Sequence, residues 1–248
     1  MIFIRAPVTR PRVTLGGETG HGRGGATARR LSSALAVIRP ESTDAHSILP
    51  LAVLEAMRNL DSPSDEEVAE YVDELLKKRL GLSDTVAAQI GRYETAVRQG
   101  GAVTAAELEQ ILRLAGRRTD AALVFADGGR RAARRAMKRL ALTTRWAARH
   151  LPRAVRRRIG FRGARRAALD VFDAALARAE ADGIATIAHD VAIRATPDGA
   201  ACAFYAAAFA ELLRQLMDFE GVMIHSRCRS RGDEHCEWRT SPSLERRT

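Results

Sequence analysis

The chain has 248 residues, 46% apolar but only 5% aromatic, with three cysteines and a formal net charge of +10. That length fits one ordinary domain plus a tail, and the alanine-dominated apolar set favours closely packed helices over a sandwich of aromatic-rich strands. No apolar stretch approaches the ~18 residues of a membrane span, and three cysteines do not make a disulfide-rich secreted scaffold, so a reducing cytoplasm is the expected setting.

The charge is uneven. Residues 129–168 hold 15 Lys or Arg and no acid, and residues 1–40 hold seven Arg against Glu18 alone. The rest has 18 basic and 29 acidic residues, a net of −11. The basic pI therefore describes two patches, which argues against a uniformly basic nucleic-acid surface.

Residues 1–44, rich in Arg, Gly and Thr without periodicity, read as a disordered basic extension rather than a transit segment. The apolar run in Met1 to Pro7 is too short for a signal peptide. Leu51, Leu54 and Met57 predict an amphipathic helix over about 48–59. Ser64 with Glu67 forms a capping box before a helix carrying Val68, Val72, Leu75 and Leu76. Together these make an N-terminal helical segment over 45–84. The next helix covers 85–99 and stops at Gly100-Gly101. Thr104 with Glu107 caps another, which runs through Leu108, Ile111, Leu112 and Ala115 toward Phe125 and ends at Gly128-Gly129. A basic helix follows. After Leu151-Pro152 a second basic helix runs to Glu180, then Asp182-Gly183 turns. Ile184, Thr186 and Ala188 alternate, as do Val191 and Ile193, so one or two strands are expected. Pro197-Asp198-Gly199 is a turn. Residues 200–218 are helical, with Tyr205, Phe209, Leu212, Leu213 and Leu216 on one face. Gly221 ends that helix, and 222–229 and 234–240 flank a hairpin turn at Arg231-Gly232-Asp233. Helices first, then strand, helix, strand, strand, argues an α+β fold with a small antiparallel sheet covered by helices.

The hairpin carries the most chemistry. Cys228 and Cys236 are symmetric about Gly232, which places their Cβ atoms on one face, about 4.5–5.5 Å apart. Ser226, Ser230, Glu234 and Trp238 share that face. His225 and His235 have the opposite parity and point away unless a bulge intervenes. Four readings stay open: two buried small hydrophobes, a disulfide disfavoured in the cytosol, a redox pair, and a metal site with Cys202 of the preceding helix as third thiolate. The spacing matches no standard zinc motif.

The run from Cys202 through Tyr205 and Phe209 to Leu213, then Cys228, Gly232-Asp233, Cys236 and Trp238, resembles the C-terminal half of the 4-vinyl reductase domain family. Leu114-Ala115-Gly116-Arg117-Arg118-Thr119 resembles that family's alanine-glycine-arginine helix. The resemblance spans about residues 85–240 and is concentrated in 200–240. It departs at His225-Ser226-Arg227, where the family often has an acidic residue. The resemblance implies a sheet and helix arrangement like that of TRAPP trafficking subunits, in a ligand-binding domain over 85–242. It also implies binding of a hydrophobic or tetrapyrrole-like molecule linked to bacteriochlorophyll synthesis, as 4-vinyl reduction or precursor delivery. The expected pocket is lined by Tyr205, Phe209, Cys228, Cys236 and Trp238, with Arg117 for a polar ligand group. Metal ligands, if any, are Cys228, Cys236 and Cys202. The cofactor is then zinc or a bound tetrapyrrole. No Gly-rich dinucleotide fingerprint follows a strand, so a vinyl reductase would need an external reductant, and catalysis is left open.

In the basic stretch, Arg130, Arg131, Arg134, Arg135, Lys138 and Arg139 share one helical face and Ala132, Ala133, Ala136, Met137 and Leu140 the other. Such a face is a solvated surface, or docks an anionic membrane with Trp146 at the interface, or an acidic protein, or ligand carboxylates. It lacks helix-turn-helix or interleaved-aromatic patterns, which disfavours nucleic acid. A sensor or scaffold acting through this helix is the alternative to ligand binding, and a homodimer is the remaining partner expectation. His189-Asp190 carries no nucleophile context and reads as structural.

Overall fold

The computed structural model describes residues 43–62, 80–140, 152–178, 184–187 and 190–242. Residues 1–42 of the basic extension, the Ser64–Glu67 capping box and its helix, Trp146, the Asp182-Gly183 turn and His189 lie outside these residues, whereas Asp44, expected at the end of the disordered extension, opens a strand.

The fold is α+β, as expected, with two antiparallel sheets among the described residues. The small sheet pairs β1 (Asp44–His46) with β2 (Ala102–Thr104). The larger has the order β3 (Ala174–Ala177), β4 (Ile184–Ile187), β6 (Cys236–Pro242), β5 (Gly221–Arg227), every pair antiparallel. The α-helices are α1 (Ile48–Asp61), α2 (Asp84–Gln99), α3 (Ala105–Gly116), α4 (Ala121–Lys138), α5 (Arg153–Phe172), α6 (Val191–Ala195) and α7 (Cys202–Met217).

One hydrophobic core runs from α1 to Trp238, so segments 45–84 and 85–242 share it. The first helix is not the amphipathic surface element its spacing suggested: Ile48 to Met57 are all buried. A helix apolar on every side belongs in the interior, and α1 packs against α4, α2 and α3. Ser83 and Thr104 cap α2 and α3 as oxygen acceptors from the Val86 and Glu107 amides, and Gly100 closes α2 in the left-handed region at φ 71°.

Four sequence expectations are corrected. The helix from Thr104 stops at Gly116 and restarts at Ala121, and Gly128-Gly129 lie inside α4 instead of ending a helix. The second basic helix ends at Phe172 rather than Glu180, because Asp173 turns left-handed at φ 47° and the chain enters β3. Residues 191–195 form a helix, not a strand. The final helix is closed by Asp218 at φ 52°, and Gly221 opens β5 instead.

The break between α3 and α4 has a clear anchor. Arg118 donates from Nη1 and Nη2 to both carboxylate oxygens of Asp61 (2.8 and 2.7 Å) and from Nε and Nη2 to Asp120 (2.7 and 2.8 Å). Asp61 also accepts the Gly81 amide at 2.8 Å. Arg118 holds both carboxyls below their ordinary value of 3.8. A depressed carboxyl stabilises the fold fully above its unfolded value, and that contribution fades as pH falls through the folded one. Arg118→Ala is therefore expected to cost about 3 kcal/mol at neutral pH, by stranding Asp61 in a site where its side chain is 9% exposed. Urea unfolding of both proteins at pH 7 and again below pH 3.8 checks this. The gap between them should narrow in acid; a constant gap would mean the ion pair is not its source.

Candidate metal centre

Four potential ligand side chains from three parts of the fold converge. Cys202 is the first residue of α7, His225 lies on β5, Cys228 follows β5, and Cys236 opens β6. One ligand atom from each lies within 4.8 Å of all the others. The three cysteines are free and buried.

The hairpin sequence explains the convergence. Gly232 takes φ +87° at the turn, which L side chains rarely adopt. The Asp233 carboxylate accepts the Cys228 amide at 2.7 Å, and the Asp233 amide returns to the Cys228 carbonyl at 3.3 Å. The Gly-Asp pair thus locks the loop from both sides. Cys228 and Cys236 face each other as their symmetry about Gly232 requires, with Sγ to Sγ 4.0 Å. Gly199, at φ +81°, leaves room: a Cβ there would lie 3.3 Å from Cys228 Sγ and 2.9 Å from Ser230 Oγ. Ser230 Oγ in turn lies 2.9 Å from Cys228 Sγ.

His225 joins the cluster through a β-bulge. His225 pairs with Trp238 and Arg227 with Glu237, which leaves Ser226 as the extra residue. One extra residue inverts side-chain parity, so His225 turns to the cysteine side. Its ring stacks on Trp238, centroids 4.6 Å apart and 6° from parallel. Ser226, expected on the cysteine face, instead donates to the Glu237 carbonyl at 3.1 Å. The bulge leaves no clear mark in the local sequence.

The neighbouring Cys236 thiol, with burial, raises Cys202, and the same interaction holds Cys236 below the ordinary thiol value, with His225 and the Arg229 backbone amide assisting. His225 Nε2 is buried and completes no hydrogen bond of ordinary geometry. A tetrahedral Zn²⁺ with Zn–S of about 2.3 Å requires sulfurs about 3.8 Å apart, close to the Cys228–Cys236 separation. Three thiols and an imidazole are a borderline-soft donor set suited to zinc. The residues present fit that ion.

The remaining predicted site residues fall differently. Tyr205, Phe209 and Trp238 are at most 1% exposed and pack on one another and on Phe172, with Tyr205–Trp238 centroids at 6.1 Å and Phe209–Trp238 at 5.7 Å. They form an aromatic floor behind the cluster. Arg117 is exposed at the end of α3, while its neighbour Arg118 enters the ion-pair network. A cavity that carries basic groups lies away from the cluster, between the end of α4 and α5.

Half of the basic face of α4 is matched by acids within the fold. Arg134 donates to Glu211 at 3.0 Å and Arg135 to Glu55 at 2.5 Å, and both glutamates are buried; Arg131 pairs with Asp127 at 2.7 Å. The acids missing from the 129–168 stretch come from α1, α7 and the preceding turn of α4. Among the described residues no helix is long and apolar enough to cross a membrane.

No family model, no curated protein and no solved structure matches this chain.

Proposed function

We propose that the chain is a small-molecule-binding module of the 4-vinyl reductase type, with a TRAPP-subunit-like arrangement, whose hairpin is fastened to α7 by a structural zinc ion. Its ligand is a hydrophobic molecule of the tetrapyrrole or pigment-precursor kind. The observation that supports this most is the four-residue cluster: Cys202, Cys228 and Cys236, which carry the sequence resemblance, are the residues that converge with His225. Four protein ligands leave no open coordination position, which marks a structural centre rather than a catalytic one. A bound Zn²⁺ supplies a cross-link between helix and hairpin and offsets the repulsion of the thiolates.

Two measurements test the proposal. Elemental analysis of the protein purified under reducing conditions should find one zinc per chain, and its absence would remove the metal. Titration with protoporphyrin IX should shift the Soret band and quench tryptophan emission; an unchanged spectrum would remove the ligand class.

A second reading is a sensor or scaffold that docks an acidic protein or an anionic membrane surface. It draws support from α5, where Arg157, Arg158 and Arg165 are exposed. Such an association should weaken steeply as salt rises.

A further inference from the structure

The cleft between α4 and α5 has a volume of about 850 Å³. Its walls are of two kinds. Leu140, Ile159 and Leu169 contribute apolar surface, while Arg139, Arg162 and Arg166 contribute cations. Arg166 is matched by Asp170, which also lines the cleft, at 3.3 Å. Arg139 and Arg162 have no acidic partner among the described residues, unlike the Arg131, Arg134 and Arg135 side chains earlier on α4.

A second cavity of about 260 Å³ adjoins the cleft, and Arg139, Leu169, Asp170 and Val171 line both. It runs toward Leu49, Leu108 and Phe172 of the core and includes His46. The Ile48 amide donates to His46 Nδ1 at 3.1 Å, so the neutral ring carries its proton on Nε2. Burial, with Arg139 nearby, lowers His46 to about 4, which keeps it neutral at physiological pH. The outer cleft therefore has apolar walls and two unmatched guanidinium groups, while the inner cavity adds a neutral donor at His46 and the carboxylates of Asp44 and Asp173 beside Asp170.

We infer that this joined cleft binds an amphiphilic anion: an apolar body seated between α4 and α5, with carboxylates held by Arg139 and Arg162. Guanidinium forks match carboxylates in geometry as well as charge, and the apolar walls provide the area that a free inorganic anion would not use. The inference rests on the small-molecule reading above and adds to it the site and the charge of the ligand. It moves the ligand away from the Tyr205–Trp238 floor to a place with room for one.

The full-length protein should be titrated with protoporphyrin IX, with its dimethyl ester, and with laurate as a competitor. The free acid should bind about tenfold or more tightly than the ester, the loss expected when charge-assisted hydrogen bonds are removed. The Arg139→Gln/Arg162→Gln variant should lose that advantage, whereas Lys138→Gln, which removes one cation beside the cleft, should not. Zinc content should be equal in all three proteins. Competition by laurate would assign the site to chain-like acids, and its absence to planar ones, both in keeping with the inference. Equal affinity for acid and ester, or an equal loss in Lys138→Gln, would overturn the inference and leave the small-molecule reading intact. No binding of any probe would overturn both.

Discussion

Gly129→Ala is expected to cost about 3 kcal/mol or more, and to lower the thermal midpoint by about 6–12 °C for a chain of this size. Gly129 lies in α4 where that helix meets α7. A Cβ there would fall inside the van der Waals shell of the Phe204 carbonyl oxygen, and would lie 3.0 Å from both the Ala207 Cβ and the Ala208 amide nitrogen. The Phe204 carbonyl belongs to the first turn of α7, whose helical backbone cannot swing aside, so the two helices must separate. Separation would open the interface that seats Phe204, Ala208 and Ala133, all at most 1% exposed. Cores at close-packed density do not absorb such a shift locally. The matched control is Gly91→Ala. Gly91 is exposed within α2, and a Cβ there meets nothing within 4 Å. That substitution should stabilise by about 0.5–1 kcal/mol, since alanine removes the entropic cost of glycine in a helix. Thermal and urea unfolding of both variants would decide. A neutral Gly129→Ala would mean the α4–α7 contact is looser than described.

The same glycine marks where sequence reading succeeds and fails. A glycine pair after an apolar run signals a helix end, and Gly100-Gly101 behaves that way. Gly128-Gly129 has the same local chemistry, but its reason lies in α7, roughly eighty residues away by the numbering of the chain. Local propensity also misled at Ala174–Ala177, where alanines favour helix yet pair with Ile184–Ile187 as a strand. The cap at Thr104 and the turn at Gly232 were legible because each is a contact between near neighbours in sequence. The arginines of α4 were visible as a face, but Glu55 and Glu211 are distant in the chain, and no count over one segment reveals them as partners. The thiol pair was readable from symmetry about one glycine. His225 was not, since one bulged residue at Ser226 reverses the parity on which alternation depends.

Replacing Cys236 by serine, or stripping the protein with a strong chelator, is expected to lower the thermal midpoint by roughly 6–20 °C. The reasoning starts from what the hairpin lacks. Among the described residues, β5 is an edge strand, and it exposes Val222 and Ile224 at 61% and 51%. The loop from Cys228 to Cys236 is held by the Asp233 carboxylate, a short helical turn and the sulfur contacts. Structural zinc contributes about 10–16 kcal/mol in small zinc-finger peptides, where it replaces a core. Here α7 and Trp238 already supply a core, so the share left to the ion is smaller, about 3–5 kcal/mol. For a chain of this length that corresponds to roughly 6–20 °C. The alternative, three thiols acting as small buried hydrophobes, predicts something different: Cys236→Ala would cost about 1–2 kcal/mol, and a chelator would do nothing. His225→Ala separates the two most sharply. It leaves every sulfur in place and removes one ligand together with a ring stacked on Trp238. Loss of zinc with a midpoint drop comparable to that of Cys236→Ser would identify the imidazole as the fourth ligand. Full zinc retention in His225→Ala would return the ring to a packing role and the site to three sulfurs.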